Sequence, residues 1–222
     1  MSFNIISKIS IFIGILSALI ILVDILKHPQ KEMKIMNLVW PINGLWAGIF
    51  GLWAYFTIGK HRGMNMDMSS SDNKYSKFWQ GVVADTLHCG AGCSLADLIG
   101  PWIFLSFPFM IYNNLTFGEW TLEYILALIT GVTFQYAAIS PMTKEKGIGV
   151  WLRALKIDFL SLTSWQVGMY GWMALVIFVW FGRLSPFSPE FWFMMQIAMA
   201  CGFITAYPIN WWLVKTGIKM GM

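Results

Sequence analysis

The stretch FNIISKISIFIGILSALIILVDIL, from Phe3 to Leu26, decides the class of this protein. It contains one basic and one acidic side chain, Lys8 and Asp24, among otherwise apolar and small residues. A helix of about 20 mostly apolar residues is long enough to cross the hydrocarbon core of a bilayer. The stretch has no small-residue cleavage site and stays apolar to its end, so it predicts a retained membrane anchor instead of a signal peptide.

The composition of the whole chain favours the same class. Hydrophobic residues make up 57% of the 222 residues and charged residues 12%, and the mean hydropathy is +0.62. Since a soluble domain carries about 25% charged residues, an ordinary cytosolic enzyme, a disordered chain and a disulfide-stapled secreted domain are all excluded. The net charge of +4 does not call for nucleic acid, because Lys and Arg accumulate on the cytoplasmic side of membrane proteins.

Six apolar stretches predict an all-α membrane protein, a bundle of six transmembrane helices within a single domain over residues 1–222. The predicted spans are residues 3–26, 35–58, 78–104, 121–142, 151–181 and 191–214, and residues 59–77 form a polar cytoplasmic loop. Gly100-Pro101 predicts that the third span is either one kinked helix or two half-helices. Eleven of the fifteen basic residues fall on the face that holds both termini, which predicts cytoplasmic termini.

The second span contains a short internal repeat. Gly44-Leu-Trp-Ala recurs as Gly51-Leu-Trp-Ala, and Gly44 and Gly48 form a small-xxx-small pair. Small residues at this spacing let a neighbouring helix approach closely, so the pattern predicts helix packing.

The third span carries the densest group of polar residues, Asp85-Thr-Leu-His-Cys-Gly-Ala-Gly-Cys-Ser-Leu-Ala-Asp97. Ionisable groups inside a membrane are costly, so each is a functional hypothesis. On a helix, Asp85, Cys89, Cys93 and Asp97 follow an i, i+4 ladder along one face, and His88 lies within reach of Asp85. At 1.5 Å per residue, Cys89 lies about 16 Å into its span, near the middle of the bilayer.

Soft ligands recur elsewhere in the apolar spans. Cys201 lies about 15 Å into the last span, and 15 methionines include two i, i+4 pairs in the outer halves of the last two spans. Thioethers and thiolates suit Cu(I), although a single Met pair also fits plain packing. The candidate metal ligands are His88, Cys89, Cys93, Cys201, Met169, Met173, Met195 and Met199. The candidate orienting or proton-carrying carboxylates are Asp85, Asp97 and Asp158.

The pattern predicts a small membrane transporter or channel for a soft metal ion, with Cu(I) first. One alternative is a membrane-embedded thiol oxidoreductase using Cys89 and Cys93, and another is a structural or assembly subunit whose polar side chains satisfy each other. The sequence has no serine-nucleophile elbow, phosphate-binding loop, His-Glu-x-x-His or Cys-x-x-Cys, which favours a non-enzymatic function. The expected partners are the lipid bilayer and the metal, with a homo-oligomer or a metallochaperone under the transport hypothesis, and no nucleic acid.

Other charged residues have simpler expected roles. Asp24 and Glu123 lie near predicted helix ends, where they can reach the interface. Asp158 is expected to form an ion pair with Arg153 or Lys156. Lys219 follows Trp211, Trp212 and Lys215 in a segment typical of an interface anchor.

Several motifs carry a resemblance to a known family. They are Met36-Asn-Leu-Val-Trp-Pro41, His88-Cys-Gly-Ala-Gly-Cys93, Leu160-Ser-Leu-Thr-Ser-Trp-Gln-Val-Gly-Met169, Phe191-Trp-Phe-Met-Met-Gln-Ile-Ala-Met199 and Tyr207-Pro-Ile-Asn-Trp-Trp-Leu-Val-Lys-Thr-Gly-Ile-Lys219. From about Lys34 onward the chain resembles the prokaryotic membrane family called domain of unknown function 4396. The resemblance implies a multi-pass protein of a bacterial or archaeal cytoplasmic membrane. It implies no reaction and no ligand residues.

Overall fold

A computed structural model describes residues 2–30, 34–60, 77–139 and 148–219, and this part of the chain is helical. The helices are α1 (Ser2–Lys27), α2 (Met36–Ala54), α3 (Phe78–Ser106), α4 (Leu115–Ile139), α5 (Ile148–Leu175) and α6 (Pro189–Lys215). Single π-helical turns extend α2 over Tyr55–Gly59 and α5 over Val176–Trp180. Four stretches are long and apolar enough to cross a membrane: Phe3–Lys27, Phe78–Ser106, Asp158–Trp180 and Pro189–Lys215. The fold is therefore that of a helical membrane protein.

Helices α3 to α6 form an antiparallel bundle in which α6 returns to pack against α3. Small residues allow the close contacts, as at Gly92 of α3, whose backbone lies against Gly131 of α4. Between α5 and α6, the hydroxyls of Ser164 and Thr205 each donate to the other residue's carbonyl, both at 2.8 Å. Pairs of aromatic rings show that α4 runs antiparallel to α5 and that α3 runs antiparallel to α6. The pairs are Trp120–Tyr170 and Tyr136–Trp151 between α4 and α5, and Phe78–Trp211 and Trp102–Trp192 between α3 and α6.

Helix α1 packs parallel to α6. Asn4 donates to Glu190, and one and a half turns later Ser10 donates to Gln196 at 2.6 Å. Because α6 runs antiparallel to α3, the beginning of α1 lies at the same end of the bundle as the end of α3.

Helix α2 is not one continuous helix but a helical hairpin. Gly48 has φ 52° and ψ −124°, a conformation open only to glycine, and there the chain reverses. A Cβ atom placed on Gly51 would lie 3.3 Å from the Cα of Gly44, and the ring of Trp40 lies 5.7 Å from that of Tyr55. In a straight helix residues 40 and 55 would be about 22 Å apart. The prediction of one span over residues 35–58 is therefore wrong.

Both ends of this hairpin lie beside the end of α1. The Tyr55 hydroxyl donates to Asp24 at 2.8 Å, Lys60 lies 2.7 Å from the same carboxylate, and Gln30 donates to the Gly59 carbonyl at 3.0 Å. Asp24 is thus held by a partner in the hairpin. We call this end of the bundle, which also holds the start of α3 and the end of α6, the base face.

The glycine pair of the sequence divides into two roles. Gly44 packs against α1, where an added Cβ would lie 3.1 Å from the Cα of Ala18, as the small-xxx-small pattern predicts. Gly48 instead provides the left-handed backbone of the turn. The hairpin tip packs against the bundle on one side, where the Leu45 carbonyl accepts a 2.8 Å hydrogen bond from Gln196 of α6, whereas Ile49 and Phe50 are exposed.

The break considered in the third span is absent, because α3 runs without interruption from Phe78 to Ser106 through Pro101. Gly100 has a packing role there, since an added Cβ would lie 2.7 Å from Cγ of Glu123. Glu123 is only 2% exposed, so its predicted extension to the interface is also wrong.

Candidate functional site

The continuous α3 carries Asp85, Cys89, Cys93 and Asp97 on successive turns, and all four are buried. Their surroundings differ, because different helices pack against each turn. His88 lies to one side of this ladder, with its ring 6.3 Å from that of Phe134 on α4. The structure therefore divides the predicted His/Cys site instead of gathering it around one point.

A cavity of about 330 Å³ lies at the hairpin tip, between α1, α2, α3 and α6. We call it the tip cavity. Its polar and sulfur-bearing lining consists of Ser94, Asp97, Met195, Gln196 and Met199, beside the indole of Trp46. The Ser94 hydroxyl lies 3.5 Å from the Met199 sulfur. The tip cavity thus combines soft thioethers with a carboxylate.

The hairpin tip is fixed to the helices that line this cavity. The amide of Asn43 donates to the Leu87 carbonyl of α3 at 2.9 Å, and the Trp46 indole donates to Asn43 at 3.0 Å. These bonds satisfy polar groups that the hairpin carries into the bundle, which a broken helix in a membrane requires.

Asp97 is the most unusual group in the tip cavity. Its side chain is fully buried, and neither carboxylate oxygen has a hydrogen-bond partner within the described residues. Its acidic neighbour is Glu123, which offers no opposite charge. Because an isolated buried carboxylate is costly, Asp97 is suited to hold a proton or a cation.

The predicted methionine pairs meet in one buried cluster. Met169 and Met173 of α5 and Met195 and Met199 of α6 share this cluster with Cys93 of α3. The cluster surrounds Trp165, whose ring fits between the backbones of Gly90 and Gly202. The cluster also includes Met194, so six sulfur-bearing side chains lie in this part of the bundle, and two of them, Met195 and Met199, also line the tip cavity.

One turn further toward the base face, Cys89 lies in a charged environment. The ammonium of Lys219 is 3.0 Å from the Cys89 sulfur and 3.1 Å from Oδ1 of the Asn210 side chain. Its distances to the carboxylates of Asp85 and Asp158 are 3.8 Å and 3.9 Å. The Cys89 thiol also donates to Asp158. We call these five residues the lysine cage.

The turn after α6 carries Lys219 into the cage. Gly217 adopts φ 71°, and the amides of Ile218 and Lys219 both donate to the Leu213 carbonyl at 3.1 Å. A glycine in this conformation at a helix end reverses the chain, so Lys219 points back along α6 toward Asn210. Lys219 is 1% exposed, and its expected role as an interface anchor is wrong.

Asp158 belongs to a structural ion pair, as predicted, but its partner is Lys219 instead of a basic residue of α5. It is fully buried and faces Lys219 and Cys89, whereas Lys156 is exposed; the side chain of Arg153 lies outside the described residues. Burial alone lowers the pKa of an ammonium, but Asp85, Cys89 and Asp158 raise that of Lys219 above its ordinary value. Gly217 two residues before a lysine was the one signal in the sequence for this arrangement.

A family model described as a domain of unknown function (DUF4396) matches residues 78–219, more than half of the chain. The chain belongs to this family. No curated protein and no solved structure matches it. The DUF4396 match begins at the first residue of α3 and ends at Lys219, so it contains the whole ladder and the cage. Helix α1 and the hairpin precede it, although the motif resemblance extended back to about Lys34.

In the part of this DUF4396 protein that the structure describes, the His, Cys, Asp and Glu side chains do not form a conventional metal centre. In the described ranges, no three His, Cys, Asp or Glu side chains come together as metal ligands. Cys89, Cys93 and Cys201 are free thiols, and Cys201 is half-buried and belongs to neither the lysine cage nor the methionine cluster. The soft donors that share one buried cluster are Cys93 and five methionines: Met169, Met173, Met194, Met195 and Met199.

Proposed function

We propose that this DUF4396 protein is a small membrane transporter or channel for a soft metal ion, with Cu(I) as the first candidate. One observation carries the proposal: a broken-helix hairpin ends beside a cavity lined by Asp97, Met195 and Met199. Irregular backbone at membrane depth is tolerated where it lines a cavity, and discontinuous helices commonly mark transporter binding sites.

The proposed route follows the ladder of α3. Met195 and Met199 would receive the ion in the tip cavity, and Cys93 would accept it from within the methionine cluster, since thioethers and thiolates are soft ligands. Asp97 would balance the charge of the ion or release a proton. Cys89 is the next thiol along the route, while His88 lies outside it.

We further propose five membrane crossings, because the hairpin enters and leaves at the base face. The beginning of α1 then lies on the opposite face from the end of α6. Segments joined to helix ends at the base face contain thirteen of the fifteen basic residues, and the opposite face has two, Lys8 and Arg183. The positive-inside rule therefore supports a cytoplasmic base face in a prokaryotic inner membrane.

Reporter fusions test this topology. A reporter that is active only in the cytoplasm should be active when it is joined after Lys219. A reporter that is active only outside the cytoplasm should be active when it is placed before α1. A cytoplasmic location for both reporters would restore an even number of crossings and contradict the proposal.

Anaerobic titration of the purified protein with Cu(I), against a chromophoric competitor, tests the transported ion. The change is Met195→Leu with Met199→Leu, which removes both thioethers of the tip cavity while nearly conserving volume. We expect stoichiometric binding in the wild type and at least about tenfold weaker binding in the double variant, equivalent to about 1.4 kcal/mol. Uptake into proteoliposomes should fall in parallel.

The matched control is Met194→Leu. Met194 lies in the same buried cluster but does not line the tip cavity, so this variant should bind Cu(I) like the wild type. Equal Cu(I) binding by the wild type, the double variant and Met194→Leu would contradict the soft-metal proposal. Loss of two hydrogens from Cys89 and Cys93 on oxidation, without bound metal, would favour the thiol oxidoreductase instead. A co-purifying partner, with tolerance of Cys→Ser changes, would favour the structural subunit.

A further inference from the structure

We propose that Asp97 and Glu123 form a buried proton-binding pair, and that this pair releases one proton when a cation binds beside Asp97. We call the two side chains the carboxyl pair. The first part concerns the protein without an ion, whereas the second rests on the proposed ion transport. Together they describe a site that exchanges an ion for a proton.

The carboxyl pair lies where α3 packs against α4. A Cβ atom placed on Gly100 would lie 2.7 Å from Cγ and 3.5 Å from Oε1 of Glu123. Gly100 follows Asp97 by three residues, so the two positions are neighbours on the surface of α3. The two carboxyl groups interact electrostatically, and Asp97 is 0% and Glu123 2% exposed. Asp97 is the member of the pair that lines the tip cavity.

No cation of the described residues pairs with either carboxyl group. The basic side chain that interacts with Glu123 is Arg183, which is exposed and already forms a 2.8 Å ion pair with Glu119. Both carboxylate oxygens of Asp97 lack a hydrogen-bond partner among the described residues, and the described lining of the tip cavity contains no basic side chain. An isolated buried carboxylate is neutralised by a proton, and a second carboxylate beside it strengthens this preference. Both groups are therefore protonated when no ion is present.

The other titratable groups near the carboxyl pair do not replace these protons. None of them carries a positive charge; they are Cys93 of α3, Glu119 and Tyr124 of α4, and Tyr170 of α5. The Tyr170 hydroxyl donates to the Trp120 carbonyl at 2.8 Å, and the Tyr124 hydroxyl is bonded to that of Thr163 at 2.9 Å. The phenols are thus engaged elsewhere, and the pair must bind its own protons.

A cation in the tip cavity changes this balance. It is bound best by ionised Asp97, so the O–H bond of Asp97 breaks and its proton passes to solvent as the ion arrives, while Glu123 stays protonated. One positive charge enters the buried site and one leaves, so a monovalent ion such as Cu(I) leaves the net charge of the site unchanged. The exchange avoids an uncompensated charge inside the membrane, which would be costly.

Infrared spectroscopy of the full chain in detergent tests the carboxyl pair without any metal. The C=O stretch of a carboxylic acid is separate from the bands of a carboxylate, and ordinary carboxyl groups are ionised at about pH 7. We expect the wild type to show the carboxylic acid band at this pH. Asp97→Asn and Glu123→Gln should each remove one contribution and shift the frequency of the other, because the two groups interact.

Glu190→Gln is the matched control. Glu190 lies at the start of α6, where it accepts a hydrogen bond from Asn4, and its loss should leave the band unchanged. Absence of the band from the wild type, or an unchanged band in both Asp97→Asn and Glu123→Gln, would overturn the carboxyl pair whether or not the protein binds Cu(I). The wild-type spectrum decides this point even if one variant fails to fold.

Anaerobic addition of Cu(I) to the same samples tests the exchange. The Asp97 contribution should disappear from the wild type and from Glu123→Gln. It should persist in Met195→Leu with Met199→Leu at Cu(I) concentrations that saturate only the wild type. Cu(I) binding that leaves the wild-type band unchanged would overturn the exchange of ion for proton. A carboxylic acid band in a protein that binds no Cu(I) would instead contradict the soft-metal proposal and support the carboxyl pair.

Discussion

The tip cavity and the lysine cage lie at two levels of the same helix, α3, yet they treat buried carboxylates in opposite ways. Asp85 and Asp97 are twelve residues apart, about 18 Å along the helix. In the cage, Asp85 and Asp158 face the ammonium of Lys219. In the tip cavity, Asp97 has no hydrogen-bond partner within the described residues. The chain itself supplies a cation to the first site, whereas no cation of the described residues pairs with Asp97 at the second.

This difference separates two kinds of buried charge that burial alone cannot distinguish. A carboxylate with a cation from the same chain stabilises the fold, and its removal leaves the partner unbalanced. A carboxylate without one lowers stability and is expected to have a functional role. Changes at the two sites should therefore have different effects on stability and on ion binding.

The largest effect is expected in the cage. Lys219→Ala removes the ammonium that faces two buried carboxylates, Asp85 and Asp158, and loss of one partner from a buried ion pair costs about 3–5 kcal/mol in the free energy of unfolding. Equilibrium unfolding in detergent gives the difference from the wild type. Lys215→Ala should lie within about 0.5 kcal/mol of the wild type, because surface changes cost little. Similar losses in both variants would show that Lys219 has no special partner.

The sequence predicted much of the fold, because length and apolar composition determine where long membrane helices form. Each predicted span coincides with a helical region, and α3 carries the ladder along one face as its spacing requires. Hydropathy could not reveal the reversal at Gly48, since the two halves of a hairpin contain as many apolar residues as one span. The repeated Gly-Leu-Trp-Ala motifs at Gly44 and Gly51, which lie on either side of the tip, were the available sign.

The site was predicted in part for a similar reason. Spacing along one helix places Cys89 and Cys93 on one face, but it does not show which side chains the other helices bring to each turn. Lys219 reaches Cys89 across 130 residues of sequence, through a turn whose direction depends on the backbone of Gly217. Contacts of this kind are set by tertiary packing. Gly217 in the sequence can indicate a turn, but local sequence patterns do not show which side chains Lys219 contacts.

An intermediate effect is expected at the hairpin tip, which forms a wall of the tip cavity and has no role in the cage. Gly48→Ala puts a Cβ on a residue with φ 52°, which costs about 1–3 kcal/mol in stability. Ile13 is the nearest obstacle, at 3.4 Å from the added atom, so backbone strain and not crowding is the cause. Thermal unfolding should show the loss, and Cu(I) binding should weaken.

Gly171→Ala is the control for this change, because an added Cβ on this helical glycine of α5 meets nothing within 4 Å. It should leave stability unchanged or raise it by up to about 1 kcal/mol, as alanine is the better helix former. An equal loss in the two variants would contradict a specific requirement for glycine at the tip.

The smallest effect on stability, and the sharpest contrast with the cage, is expected for Asp97→Asn. This change removes a buried charge that no cation of the described chain balances, so the free energy of unfolding should stay within about 1 kcal/mol of the wild type or rise. Cu(I) binding and uptake should nevertheless fall, because the tip cavity loses its negative charge. A loss of stability as large as that of Lys219→Ala would place Asp97 among the structural charges and remove the distinction between the two sites. Preserved stability with lost uptake would show that one helix, α3, carries both a charge that is paired within the chain and a charge reserved for the transported ion.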